Sequence, residues 1–420
     1  MARNVTSQRR TLPGLNRNVL IFFVHSGLIH VGLLGISDVL LNFYYVSLGY
    51  GPGVVGILQS LPRLGGFITG LPVGIVANRL GKRRILIISN IGIAVSLLLL
   101  VFFPNLLMLG ISRFLLGFFY GAGQIVTPPY MATLTAKAEH THQFAYHNLI
   151  SMASVSVGSI IGGYLPLLVS QSMALEGTAQ FPPEQTTAAY MISLGIAAIV
   201  IFLGTLPMFS LPYAQAEPEH KPTHNEKPDA VPWATLLLYS VPLLFFGITG
   251  GLTFPFYNLF FRESFGLTDS TVGNILAVGW LGMAFVPLLN PLLERRIGRA
   301  WSLGVLMGVA AVGFFGLGAA GTLFAAVPFY LVGIAVRNTM QPLFQPLVMD
   351  VLPEELHNIN SSVGLVIWNI GWFSSTASYG WLLPAVGYSG MMVIVAVGVI
   401  ATGISVVAIF ASREQPQPII

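Results

Sequence analysis

Asp38 is the one carboxylate set well inside a long apolar run; the other 14 of the 15 acids fall in polar stretches or near the ends of apolar ones. A carboxylate surrounded by hydrocarbon is costly unless it is paired or protonated, so it is a functional candidate by default. Two arginines, Arg63 and Arg113, are embedded in the same way. Asp38, Arg63 and Arg113 lie eight, ten and eight residues from the same-side ends of their runs. At about 1.5 Å per helical residue, this puts them within a few ångströms of one level. Apolar surroundings hold a proton on a carboxyl group, and a nearby guanidinium loosens it. An acid that exchanges arginine partners can therefore bind and release one proton, and the chemistry on offer is ion coupling. A permanent ion pair that only locks helices together is the structural alternative.

Other polar residues recur at helical spacing. Arg113, Gly117, Tyr120 and Gln124 share one helix face, as do Arg337, Gln341 and Gln345, and as do Asp38, Asn42 and Tyr45. Asn258 repeats Asn42 in the second half of the chain. At such depths polar groups should look into a watery path and not into lipid. Asn42, Tyr45, Tyr120, Gln124, Asn258 and Gln341 are the expected lining of that path, with Arg337 as its anion contact. For each amide the competing explanation is a hydrogen bond between helices. His25 and His30 could relay protons or simply pack, and His147 sits near the end of its run. Trp280, Trp368, Trp372 and Trp381, with Asn369, give the second half an aromatic lining or core. The position matching Asp38 there is near Phe254, so any ion coupling is asymmetric.

These groups need elements to hold them. Of 420 residues, 54% are hydrophobic and 8% charged, with a mean hydropathy of +0.77. Soluble chains carry about a quarter charged residues. The apolar runs reach twenty residues or more, enough for roughly 30 Å of hydrocarbon, and each must be helical because lipid offers no partner to free backbone groups. Twelve spans are expected: 18–46, 53–77, 85–103, 105–128, 143–170 and 188–211, then 232–261, 269–292, 301–320, 322–349, 359–385 and 388–411. They form two six-helix halves, 1–211 and 232–420, joined by a polar, Pro-rich linker at 212–231. The N-terminal basic segment leads into a retained first helix, since no small-residue cleavage site follows it. With the N-terminus inside, 15 of the 19 Lys and Arg fall in segments on one side. That bias places both termini and the linker in the cytoplasm.

Several classes are excluded. The absence of cysteine removes disulfides and thiolate chemistry. His220 and His224 have ligand-like spacing, but the prolines around them argue against a helix and hence against a metal site. A formal charge of +4 reflects basic loops, not nucleic-acid binding. No phosphate-binding Gly-Lys-Ser/Thr loop is present, which argues against ATP as the energy source. No nucleophile–base pair suggests an enzyme.

The halves also echo one another. Gly81 and Gly298 stand 217 residues apart, and the same offset relates Gly49 to Gly266, Gly56 to Gly273, Gln124 to Gln341, Pro129 to Pro346 and His140 to His357. Parallel duplication of this kind is a transporter architecture. The turn after the second span reads Gly74-Ile-Val-Ala-Asn78-Arg79-Leu-Gly81-Lys82-Arg83-Arg84. With Arg113-Phe-Leu-Leu-Gly117 in the fourth span and Gly158-Ser159-Ile-Ile-Gly162-Gly163 in the fifth, the chain resembles the major facilitator superfamily, most closely its proton-driven antiporters. Three positions depart from the family pattern: Asn78 replaces an Asp, Leu116 a Gln and Ser159 a Pro. The resemblance implies an all-α integral membrane protein of twelve helices in two pseudo-symmetric bundles. It also implies that the loop Gly74, Asn78, Arg79, Gly81, Lys82 and Arg83 takes part in conformational change, with a latch weakened by the uncharged Asn78. The expected protein is a monomer in a bacterial-type inner membrane. It needs no cofactor beyond a proton gradient and takes a small organic molecule as substrate. Export by proton antiport is favoured, with proton-linked import of a sugar or organic acid, or a non-transporting sensor on the same fold, as the alternatives.

Overall fold

The computed structural model describes residues 15–178, 182–212 and 231–414. The expected linker, His220, His224 and the first three arginines lie outside them. The described chain is almost entirely helical. The first half contains α1 (Arg17–Ser47), α2 (Pro52–Leu80), α3 (Lys82–Phe102), α4 (Leu106–Met131), α5 (His140–Ser172) and α6 (Thr187–Thr205). The second contains α7 (Trp233–Phe265), α8 (Asp269–Ile297), α9 (Arg299–Ala319) and α10 (Leu323–Val351). A continuous helical stretch, His357–Phe410, follows; Gly387, at φ 65°, divides it into α11 (357–386) and α12 (388–410). Among the described residues, ten stretches are long and apolar enough to cross a membrane. Adding α2 and counting α11 and α12 separately gives the expected twelve.

Local chemistry sets the ends. Asn16, Asn105 and Thr322 cap α1, α4 and α10 by accepting a bond from the backbone N–H three residues on. Glu414 reaches back to accept from the N–H groups of Arg299 (2.6 Å) and Ala300 (3.0 Å), a carboxylate on the positive end of α9. The duplication is written in the backbone as well. Gly49 and Gly266 have φ of 85° and 63°, and Gly81 and Gly298 have φ of 87° and 76°. Each pair is separated by the same 217 residues, so both halves use a left-handed glycine for the equivalent turn.

The α2–α3 and α8–α9 turns share one face of the molecule, termed here the basic face for Arg79, Lys82, Arg84, Arg295, Arg296 and Arg299. On the opposite, far face the halves are packed backbone to backbone. A Cβ on Gly163 of α5 would stand 3.0 Å from the Cα of Gly273 in α8. One on Gly56 of α2 would stand 2.9 Å from the Thr376 carbonyl in α11. Small residues permit this approach where helix attraction rests on packing alone.

Four helices differ from the unbroken rods expected, α8 among them through a 3₁₀ turn at Val286–Leu289. In α1 the stretch Val31–Ser37 is π-helical, and Asp38 follows it directly. In α7 a tight turn at Phe254–Phe256 interrupts the helix at Pro255. In α10 the helix breaks after Arg337 and resumes at Met340. Local π and 3₁₀ departures of this kind are frequent at functional sites.

Candidate functional site

Asp38 emerges from the π-helical stretch, whose altered winding is partly satisfied by Ser37 Oγ donating to the Gly32 carbonyl at 2.8 Å. Its chain neighbours Ser37 and Val39 are 0% and 1% exposed, yet Asp38 itself is exposed. Its neighbour Arg63 lies over Trp372 and Trp368 of the second half, which puts Asp38 toward the space between the halves. Arg113 is its strongest charged neighbour and Arg63 the next. Tyr45 and Tyr120 also feel its charge. The residues expected to form one level in the first half are therefore brought together. Among the described residues, Asp38 forms no ion pair within 4.0 Å.

Arg113 spends its hydrogen bonds elsewhere. It is 4% exposed; its Nη2 donates to Gln59 Oε1 at 2.5 Å and its Nε to the Leu58 carbonyl at 3.3 Å. Gln59 Nε2 in turn donates to Asn42 Oδ1 at 2.6 Å. Asn42 Nδ2 donates to Asn258 Oδ1 at 2.8 Å and to the Pro255 carbonyl at 2.5 Å. Asn258 Nδ2 donates to the carbonyls of Val39 (2.8 Å) and Asp38 (3.2 Å). Asn42 and Asn258, expected on a cavity wall, are 0% and 2% exposed and join the two halves in this conformation. Sequence spacing did not point to Gln59. Its position one helical turn from Arg63 on α2 was the available signal.

A second seam lies nearer the far face. Arg262 Nη1 is 3.4 Å from Asp269 Oδ1 and donates to Tyr190 Oη at 2.9 Å; Tyr190 donates to Asp269 Oδ2 at 2.7 Å. Arg262 Nη2 donates to Gln185 Oε1 at 2.6 Å, and its guanidinium covers the Phe43 ring at 4.5 Å. Asp269, which the sequence put at the edge of a span, is thus a buried acid held by a buried tyrosine and an arginine.

The second half presents aromatic surface. Trp368 and Trp372 meet edge to face, with Phe254 beside Trp372 at 5.8 Å and Trp280 beside Phe254 at 6.4 Å. Arg63, from the first half, lays its guanidinium over Trp372 at 4.0 Å and Trp368 at 4.7 Å. Arg337 is not free to meet an anion in this conformation. It is 2% exposed, donates to the Phe246 carbonyl and to Thr249 Oγ1, and stacks on Phe246 at 3.9 Å. Gln341 and Gln345 remain exposed. Trp368 Nε1 and Tyr257 Oη among these groups, and Tyr45 Oη beside the Asp38 cluster, are buried without a hydrogen-bond partner.

The histidines gather in the first half. Ser26 Oγ lies 2.9 Å from His147 Nε2 and 3.3 Å from His30 Nδ1, and His25 Nδ1 lies 2.7 Å from the Gly204 carbonyl. They line a cavity of about 70 Å³ together with Asn90, Tyr120, Gln124 and Thr127. The glycines of the fifth-span motif are packing residues. A Cβ on Gly158 would stand 2.8 Å from the Cα of Gly35, and one on Gly162 would stand 2.9 Å from that of Ile36. Of the basic turn, Gly81 makes the reversal, and Arg83 clasps the carbonyls of Met208 (2.7 Å) and Phe209 (2.5 Å) just past α6. Lys82 approaches the Pro129 carbonyl at 3.5 Å, and Arg79 is exposed. Gly74 and Asn78 lie on α2, and their further surroundings fall outside the described residues.

The family model for the Major Facilitator Superfamily matches residues 26–376. The chain belongs to this superfamily. It is 22% identical to the tetracycline resistance protein, class H, of Pasteurella multocida over 90% of this chain and 96% of that one. It is 27% identical to a multi-drug resistance efflux pump PmrA homolog of Lactococcus lactis over 30% of this chain and 32% of that one. Among solved structures it is similar to the nucleoside transporter NupG at a TM-score of 0.70, with 14% identity, covering 94% of this chain and 99% of that one. The chain is therefore a multi-pass membrane transporter of this fold.

Proposed function

We propose that this superfamily member exports a small, amphipathic organic molecule in exchange for protons, by alternating access between two rocking halves, 1–211 and 232–420, joined through 212–231. The observation that carries this reading is Asp38: an exposed carboxyl group at mid-helix depth, beside Arg113 and Arg63 and paired with neither. A carboxyl group so placed can load and discharge a proton as its surroundings change. The tryptophan pair opposite supplies a flat apolar surface. The unpartnered Trp368 Nε1 and Tyr45 Oη supply donors for a polar edge of the cargo. The names of the two relatives, a tetracycline resistance protein and an efflux pump homolog, favour export over uptake.

In the same reading the membrane is a bacterial inner membrane, the basic face is cytoplasmic, and the protein works as a monomer without a cofactor, driven by the proton gradient. The far face is closed in this conformation, and on this reading cargo enters from the opposite, cytoplasmic face. Asn42, Tyr45, Tyr120, Gln124, Asn258, Gln341 and Arg337 meet the substrate at different stages, the buried ones only once the far face opens. Purified protein in liposomes under an imposed pH gradient tests the direction of flux. Movement of a fluorescent amphipathic probe against the proton flow supports the reading; movement with it means symport instead.

A further inference from the structure

The amides between Arg113 and α7 form a chain with a single polarity. A guanidinium can only donate, so Gln59 must turn Oε1 toward Arg113. That leaves Gln59 Nε2 to donate to Asn42 Oδ1, which leaves Asn42 Nδ2 to donate to Asn258 Oδ1. Asn258 Nδ2 is then left for the carbonyls of Asp38 and Val39. One charge at the end of the chain orients three buried amides in series. Arg113, Gln59, Asn42 and Asn258 are 4%, 8%, 0% and 2% exposed, so none has water as a substitute partner. Buried networks of this kind stabilise when complete and are costly when one member leaves.

We infer that Gln59 is the positioning residue through which the protonation state of Asp38 controls the closure of the far face; this rests on the proton-coupled reading above. With Asp38 neutral, Arg113 stays on Gln59 and the amide chain binds α1 and α2 to α7. With Asp38 ionised, its carboxylate draws the Arg113 guanidinium. Gln59 Oε1 then loses its donor, the chain loses its fixed orientation, and the halves part on the far side. The proton leaves Asp38 for solvent on the basic side, so its release favours the far-open state. The charged and titratable groups facing Asp38 are Tyr45 on its own helix, Arg63 on α2, and Arg113 and Tyr120 on α4. The other helices packed on this part of α1 are α5 through Gly158 and Gly162, α6 through Ala197 and Ile201, α7 through Asn258, and α8. Nearer the far face they bring Arg262 of α7, over the Phe43 ring at 4.5 Å, together with Asp269 of α8 and Tyr190 of α6.

The native chain has no cysteine, so Glu176→Cys with Ser264→Cys gives a clean spin-label pair across the far face. Distances between the labels are measured from about pH 5.5 to about pH 8.5 without substrate. The expected result is a rise of about threefold or more in the far-open population of the otherwise native chain. Gln59→Leu should abolish the dependence on pH. Asp38→Asn should hold the closed distribution throughout. Should Gln59→Leu fail to fold, Gln59→Glu serves instead: its carboxylate accepts from Arg113 but has no N–H for Asn42 Oδ1, so the dependence on pH should again be lost. A native chain that does not respond to pH, or a Gln59 variant that responds as the native chain does, overturns the inference. Because the distances are read without cargo, a wrong substrate or direction shows in the liposome flux and leaves this measurement intact.

Discussion

The two halves share a fold and a backbone repeat but divide the chemistry between them. Each has an arginine on its fourth helix, and the two arginines are held alike. Arg113 bonds a carbonyl and a side chain on α2, and Arg337 bonds a carbonyl and a side chain on α7. What differs is the surroundings. Arg113 faces an exposed acid and an amide chain that crosses to the other half. Arg337 faces Phe246, Phe254 and Thr249, all within its own half. The two cations do not stand at equivalent positions: the 217-residue offset maps Arg113 to Tyr330 and Arg337 to Tyr120, and an acid on α1 alone gave Arg113 something to respond to. The second half offers aromatic surface in place of charge, and Arg63 already rests on it.

Breaking the acid should have the largest effect. Asp38→Asn is expected to lower gradient-driven flux about 100-fold, equivalent to roughly 2.7 kcal/mol, while exchange across the membrane without a gradient persists. Loss of both activities together would mean that Asp38 holds the fold and not the proton.

Next comes the seam. Gly163→Val places methyl groups against α8, where even one Cβ would stand 3.0 Å from the Gly273 Cα. It should shift the population toward far-open by about tenfold, read from the same label pair.

Arg337→Met sharpens the contrast between arginines. Removing a buried guanidinium that satisfies Phe246 and Thr249 should cost about 1–3 kcal/mol, seen as a lower melting temperature in detergent. Flux per folded molecule should keep its native pH profile. A pH profile altered by Arg337→Met would erase the proposed division of labour.

The smallest effect is expected at the aromatic wall. Trp372→Ala should raise the KM for an aromatic cargo about three- to tenfold, equivalent to roughly 1 kcal/mol of lost stacking and burial, with unchanged proton dependence.

The outline of the site was readable before the structure because its first requirement is depth. An acid or arginine inside a twenty-residue apolar run is conspicuous, and Asp38, Arg63 and Arg113 do cluster. Helix periodicity also put Tyr120 and Gln124 on one face, and both line the histidine cavity. Where a polar group could meet either water or another side chain, the linear pattern left the choice open. Asn42 and Asn258 carry the same periodic signal as a cavity lining, yet they bond each other across 216 residues of sequence. Arg337 carries the same signal as a free anion contact, yet its nitrogens are already engaged. Asp269 sits at a helix start, where sequence suggests solvent, and is buried because Tyr190 and Arg262 close over it.

Composition alone determined that this chain lives in a bilayer, because hydrocarbon accepts almost no charge and 54% of the residues are hydrophobic. Repetition alone determined that it has two related halves, and left-handed glycines had to recur where the turns recur. Tertiary structure decided which polar groups found partners, since hydrogen bonding between helices depends on rotation and approach, which a linear pattern does not carry. It decided that Arg113 holds Gln59 while Asp38 stands unpaired beside it. It also decided that the far face is the closed one, because glycines on α2, α5, α8 and α11 let the backbones meet there.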